Sequence, residues 1–284
     1  MRRYWVVDAF SDTPLMGNPV AVILDAEGLG DEQMQAIARW TNLSETTFVL
    51  PATDAAADYR LRIFTPASEL AFAGHPTLGS ARAIVEAGLH LPRDGKLVQQ
   101  CKAGLIDITV DEASSTFVLQ LPQAKIRPLS EEAKADLAAA YSIQLTDLPF
   151  ASVDVGITWG IAEVESVETI ANLVANPLAA GRVEAQNDLT GVSLFARYDD
   201  GSIEVRSFAF NDGVPEDPVC GSGNGAVAAY RRHYCQLGQS QWSYTSRQGR
   251  FVGRDGHIKL SSDINGIIHV GGHCVVTVRG HLGF

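Results

Sequence analysis

Short apolar runs of strand length recur along this chain, broken by fewer stretches with helical spacing. YWVVD (4–8) and VAVIL (20–24) read as two strands joined by the loop SDTPLMGNP. In DEQMQAIARW, Met34, Ile37 and Ala38 recur at helical spacing, with Asp31 as a candidate cap. TTFVLP follows as a strand, and DYRLRIF (58–64) alternates apolar and polar positions as a half-buried strand does. TLGSARAIVEAG is an apolar helix with Pro76 in its first turn and Gly88 as its stop. Two or three strands fill 97–122, and PQAKIRPLSEEAKADLAAAY changes character to a connector and a charged helix. The second half repeats the mood of the first. It has strands near 151–164, a helix near 166–175, strands at 191–197 and 202–210, and then a long helix, GAVAAYRRHYCQLG. The tail reads as short strands with turns at GRDG, DING and VRGHL, and as a hairpin at Gly271-Gly272.

An internal repeat of long period underlies this symmetry. Arg62-Ile63-Phe64 is followed by Glu69, Ala73, Gly74, His75 and a helix, and Arg206-Ser207-Phe208 by Glu216, Cys220, Gly221, Ser222 and a helix. Glu69 precedes Gly74 by five residues, as Glu216 precedes Gly221, whereas the step from Arg to Glu is seven residues in one copy and ten in the other. The expectation is two related α/β domains, 1–125 and 126–274, with a last strand (about 275–284) returning to the first. Each would offer a helix N-terminus to a shared cleft. Unpaired N–H groups and the positive dipole end there favour a carboxylate, or the charge that develops on an enolate. Arg62 and Arg206 suit anion binding less than structural pairing with Glu69 and Glu216.

Composition narrows the partners. With 284 residues, 46 % hydrophobic and 19 % charged, the chain can bury a real core and is not wholesale disordered. A net charge of −11 speaks against nucleic acid and anionic membrane as partners. Four scattered cysteines without CxxC spacing are no disulfide scaffold. With neither a signal-peptide pattern nor a long apolar run, the expected compartment is the cytoplasm. His269, His273 and Cys274 have suggestive spacing, but the surrounding strand pattern argues against a metal, and none is expected.

The loop GVPEDPVCGSGNG (213–225) is the most informative stretch. It lacks the Lys-Ser/Thr of a P-loop and the context of a dinucleotide fingerprint. Read alone, Ser222 caps a helix as readily as it binds a ligand, and Asp217 is as readily a turn residue before proline. Glu45 alone reads as a solvated carboxylate, and His75 as a helix-cap histidine or a proton relay.

Together, RxFTPxxELxFxGHPTLGSA (62–81), EDPVCGSGNG (216–225), SETTFV (44–49), VDAF…GNPVAV (7–22) and QGRFVGRDG (248–256) resemble the phenazine-biosynthesis PhzF-like proteins, in order and over nearly the whole chain. The resemblance implies a diaminopimelate epimerase-like α+β fold. Two pseudo-symmetric domains would each wrap a barrel-like sheet around a central helix, with the active site in the interdomain cleft. It implies a cofactor-independent isomerase, often a homodimer. Glu45 falls on the proton-transferring glutamate, His75 on the histidine of the GH loop, and Asp217 and Ser222 on the aspartate and serine. Gly74, Gly221, Gly223 and Cys220 would line the bound substrate, a small carboxylate. Related epimerases use two cysteines, one from each repeat. Here the first position is Ala73 and only the second, Cys220, is a thiol. Members more often have Thr at that second position.

Three other functions stand beside the isomerase: an amino-acid epimerase or racemase, an acyl-transfer enzyme using Cys220 as nucleophile with a thiol pKa lowered at the helix N-terminus, and a non-catalytic small-molecule binding protein. A single Glu45 acting on one face of a substrate would need an apolar cleft to raise its pKa. Phe10, Phe48, Phe64 and Phe72 are candidates for that wall.

Overall fold

A computed structural model of the chain describes residues 1–235, 237 and 241–283. The chain forms two compact units, Met1–Gln120 with Gly271–Phe284, and Leu121–Val270.

In the first unit the strands are β1 (Arg2–Ala9), β2 (Asn18–Ile23), β3 (Glu45–Leu50), β4 (Tyr59–Phe64), β5 (Glu69–Leu70), β6 (Lys96–Cys101), β7 (Gly104–Asp111) and β8 (Thr116–Gln120). Helix α1 (Asp31–Thr41) joins β2 to β3, and α2 (Gly74–Glu86) joins β5 to β6. Antiparallel β1–β2, parallel β2–β3, antiparallel β3–β4, parallel β4–β6 and antiparallel β6–β7 and β7–β8 follow in order. The last strand, β17 (Ile268–Leu282), pairs with both β1 and β8 and closes the ring into an eight-stranded barrel. Among the described residues, each of the eight barrel strands is thereby paired on both sides, and the short β5 pairs with β4 alone. Helix α2 packs against β1, β2, β3 and β8 and is buried continuously from His75 to Ala81. Small residues permit this: a Cβ on Gly79 would lie 2.4 Å from Val20 Cγ1. The Thr47 and Ser80 hydroxyls meet at 2.7 Å and satisfy each other inside. Helix α1 covers the other face, where Met34, Ile37 and Ala38 pack with Ile23, Phe48 and Phe64.

The second unit repeats the plan nine strands later. Its strands are β9 (Lys125–Pro128), β10 (Ala151–Asp154), β11 (Thr158–Glu163), β12 (Gly191–Arg197), β13 (Ile203–Ala209), β14 (Val214–Asp217), β15 (Trp242–Gln248) and β16 (Gly256–Ser262). Pairing runs antiparallel β10–β11, parallel β11–β12, antiparallel β12–β13, parallel β13–β15 and antiparallel β15–β16, the same alternation as β1 to β7. Helices α3 (Glu131–Tyr141), α4 (Val167–Ala171) and α5 (Pro177–Gln186) build one core with β12, and α6 (Gly221–Tyr234) packs against β10, β11, β12 and β16.

Several expectations need correction. Gly30, not Asp31, is the N-cap of α1; it has no side chain to cap with, its backbone N–H donates to Gln33 Oε1, and Asp31 is the first helical residue, paired with Arg62. Residues 166–175 hold only the short α4, and α5 follows. Gly271-Gly272 makes no hairpin and VRGHL no turn: both lie within the single strand β17. A Cβ on Gly271 would lie 2.5 Å from the Phe117 carbonyl oxygen, so glycine there serves close strand approach rather than turning. The described part of α6 ends at Tyr234; Gln236 and Gly238 of the expected longer helix lie outside the described residues. Among the described residues, no helix is long and apolar enough to cross a membrane.

Candidate active site

In the first unit, Glu45 opens β3 and His75 is the second residue of α2. Strand alternation puts Glu45 on the face of Thr47, which reaches Ser80 on the central helix. Glu45 Oε2 lies 3.3 Å from His75 Nε2, with side-chain exposures of 15 % and 9 %. Burial pushes the imidazole down to about 4, against a hydrogen bond to the Pro19 backbone that raises it. Proline has no N–H, so the Pro19 carbonyl accepts and the ring must donate. Near neutral pH the ring is therefore uncharged, with one nitrogen protonated toward Pro19 and Nε2 presenting its lone pair to Glu45. Gly74 is the first residue of α2, and its N-cap, Ala73, contributes no side-chain cap.

The aromatic wall is otherwise than expected. Phe48 and Phe64 stack edge-to-face at 5.4 Å within the α1 core, on the opposite face of β3 from Glu45. Phe10 is buried just after β1, and Phe72 is half-buried before α2.

In the second unit, Asp217 closes β14 and accepts the Val219 N–H at 2.9 Å. Burial pushes its carboxyl up to about 6. The cap of α6 is Cys220, whose sulfur accepts the Gly223 N–H at 3.3 Å. Ser222 therefore does not cap. It is the second helical residue, and its Oγ accepts the Trp159 indole N–H at 3.1 Å. Burial first, and the Asp217 charge second, push the Cys220 thiol well above its ordinary value. The helix N-terminus does not prevail here, so the lowered thiol pKa expected for an acyl-transfer nucleophile is absent. Gln248 ties the loop together: its Oε1 accepts from the Cys220 N–H (3.1 Å) and from Asn224 (2.6 Å), and its amide donates to the Asp217 carbonyl (2.9 Å). A Cβ on Gly223 would lie 2.5 Å from Ser193 Oγ, and Gly221 is the first residue of α6.

Both arginines are structural, as the sequence suggested. Arg62 holds Glu69 through Nε (2.7 Å) and Nη2 (2.8 Å), and Arg206 holds Glu216 through Nε (3.0 Å) and Nη2 (2.6 Å). This shared brace fixes an equivalence between the units. Phe48 pairs with Arg62 and Thr46 with Phe64; Leu194 pairs with Arg206 and Val192 with Phe208. The counterpart of Glu45 is therefore Gly191. A Cβ on Gly191 would lie 2.2 Å from the Phe208 carbonyl oxygen and 2.7 Å from Trp159 Cζ3, so no side chain fits. Sequence reasoning missed Trp159, Gly191, Pro19 and Gln248. Spacing alone hides the first two, because Glu45 precedes its arginine by 17 residues (62 − 45) and Gly191 by 15 (206 − 191).

Among the described residues no cluster of three or more His, Cys, Asp or Glu side chains could hold a metal; His269, His273 and Cys274 lie along β17.

Two repeated units with a buried helix inside strands of matching order define the diaminopimelate epimerase-like class. More specifically, the chain belongs to the PhzC-PhzF family of phenazine biosynthesis-like proteins, whose model matches residues 7–281. It is 40 % identical to antisense-enhancing sequence 1 of Schizosaccharomyces pombe, covering 96 % of each chain. It is 34 % identical to trans-2,3-dihydro-3-hydroxyanthranilate isomerase of Pseudomonas aeruginosa, covering 89 % of this chain and 88 % of that one. A crystal structure of a Bacillus anthracis PhzF-family phenazine biosynthesis protein superposes with a TM-score of 0.89 at 26 % identity, over 100 % and 99 % of the two chains. Bacterial relatives carry isomerase names, and the chain is an enzyme of that class.

Proposed function

We propose that the chain catalyses a cofactor-independent isomerisation of a small carboxylate-bearing substrate. Glu45 removes a proton from one carbon and returns it to another on the same face, moving a double bond. The observation that carries this reading is the Glu45–His75 contact, 3.3 Å between Oε2 and Nε2, made by an imidazole that burial holds neutral. A neutral ring that donates to Pro19 accepts at Nε2, so it can hold a proton on Glu45 between its removal and its return. In this reading the N–H groups of Gly74 and Gly221, with Ser222 and Cys220, bind the carboxylate. Asp217, with a carboxyl near 6, orients a substrate hydroxyl or amine.

The epimerase reading needs a second acid–base group. Ala73 cannot supply one at the cysteine position of the first unit, and Gly191 has no room for one at the glutamate position of the second. The expectation that one substrate meets both sets of residues comes from the sequence repeat and belongs to this proposal.

The substrate list begins with trans-2,3-dihydro-3-hydroxyanthranilate, the compound in the name of the Pseudomonas aeruginosa relative. The test is incubation in D2O with that compound and a panel of small hydroxy, amino and unsaturated cyclic acids, followed by NMR. Deuterium entering carbon with double-bond migration supports the isomerase. Tight binding without carbon exchange would replace it with a binding protein. Light scattering tests the expected homodimer.

A further inference from the structure

We infer that Trp159 is a positioning residue, which turns Ser222 into a hydrogen-bond donor toward an anionic oxygen of the ligand. The inference rests on the reading above, in which Ser222 binds the substrate carboxylate.

Trp159 lies on β11 opposite Gly191, in the register where Val20 lies opposite Glu45 in the first unit. Its ring fills the space that a side chain at position 191 would need. The residue is 5 % exposed, so the indole is fixed by packing. A buried indole N–H needs an acceptor, and Ser222 Oγ at 3.1 Å provides it. The indole can only donate, so that oxygen lone pair is committed, and the serine proton must point elsewhere. Without a ligand the hydroxyl also meets Cys220 Sγ at 3.7 Å, a long sulfur hydrogen bond in which either group can donate, on a sulfur that already accepts the Gly223 N–H. An anionic oxygen is a far stronger acceptor than a thiol sulfur, so a ligand at the start of α6, next to the N–H groups of the first turn, draws the serine proton from Cys220 to itself. Two backbone donors and one oriented hydroxyl suit a carboxylate oxygen. The place that holds a base in one unit is filled in the other by a side chain that can only donate.

The experiment compares wild type, Trp159→Phe, Ser222→Ala and the double variant, using whichever panel acid the wild type turns over. Losing the orientation of one hydrogen bond is expected to raise KM about tenfold and leave kcat within about twofold. The double variant should be no worse than Ser222→Ala alone. Multiplicative losses, or a fall confined to kcat, would overturn the inference. A second readout needs no substrate: the indole N–H resonance of Trp159, assigned by its disappearance in Trp159→Phe. It should move upfield in Ser222→Ala, and its failure to move would overturn the inference whatever the activity. Absence of turnover together with a responsive indole would instead count against the isomerase reading and support the Trp159–Ser222 link.

Discussion

The two units keep the same mechanical parts and differ where their central helices begin. Each has an arginine forked onto a glutamate, and the same guanidinium sits over a phenylalanine, at 5.1 Å for Arg62 over Phe64 and 5.3 Å for Arg206 over Phe208. Each buries a hydroxyl pair built on an equivalent strand position, although the partners differ: Thr47 meets Ser80 of α2 at 2.7 Å, and Ser193 meets Ser207 of β13 at 2.8 Å. At the helix start the correspondence ends. The first unit has Ala73, His75 and the carboxylate of Glu45. The second has Cys220 as cap, Ser222, and Gly191 covered by Trp159. A scaffold that must close a sheet around a helix constrains its braces tightly. It constrains the first turn of that helix much less, and there the two units have acquired different chemistry.

The largest effect on this comparison is expected at the braces. Arg206 and Glu216 have side-chain exposures of 10 % and 9 %, and Arg206 also donates to the carbonyls of Ile170 and Leu173. Arg206→Met strands a buried carboxylate and should lower stability by about 3–5 kcal/mol. Arg62→Met should cost less, because Glu69 keeps Lys102 at 2.5 Å. Urea denaturation of the two variants measures both losses, and equal losses would break the distinction between the braces.

Acid–base linkage gives the next contrast. The Asp217 carboxyl is raised from 3.8 to about 6, so the unfolded state loses its proton first, and the native state loses stability as pH rises from about 4 to 6. Asp217→Asn should therefore gain on wild type over that window and hold a constant advantage above it. His75 runs the other way. Its ring is lowered from 6.5 to about 4, so the unfolded state takes up the proton first as pH falls. Stability from this group is present above about 6.5 and is lost between about 6.5 and 4. His75→Asn should flatten that loss. Denaturation midpoints at a series of pH values separate the two windows.

The smallest effect is an expected near-silence. Cys220 is buried and its thiol is raised, so iodoacetamide at neutral pH should label it slowly in the native protein and rapidly after unfolding. Rapid native labelling would restore the thiol nucleophile.

Much of this was legible in the amino-acid sequence because local pattern carried it. The strand positions, the five-residue step from Glu to Gly, and the Arg–Glu pairs all follow from spacing. Where non-local contacts decide, the sequence was silent or misleading. Gly271 looks like a turn and is a strand contact with Phe117. Phe48 and Phe64 are near Glu45 in sequence and register, but strand alternation sends them to the α1 core. Ser222 looks like a cap because hydroxyls usually fill that role, yet here a sulfur takes it. Trp159 joins the site only through pairing with Gly191 and a bond to a residue 63 positions away.

The central claim is that one unit carries the proton-transferring base. Carbon-bound deuterium uptake should be followed for wild type, Glu45→Gln and Cys220→Ser with the same turned-over acid. Uptake that falls at least about 100-fold in Glu45→Gln and stays within about tenfold in Cys220→Ser is the expected result. Uptake that survives in Glu45→Gln and disappears in Cys220→Ser would move the base to the second unit and contradict the account.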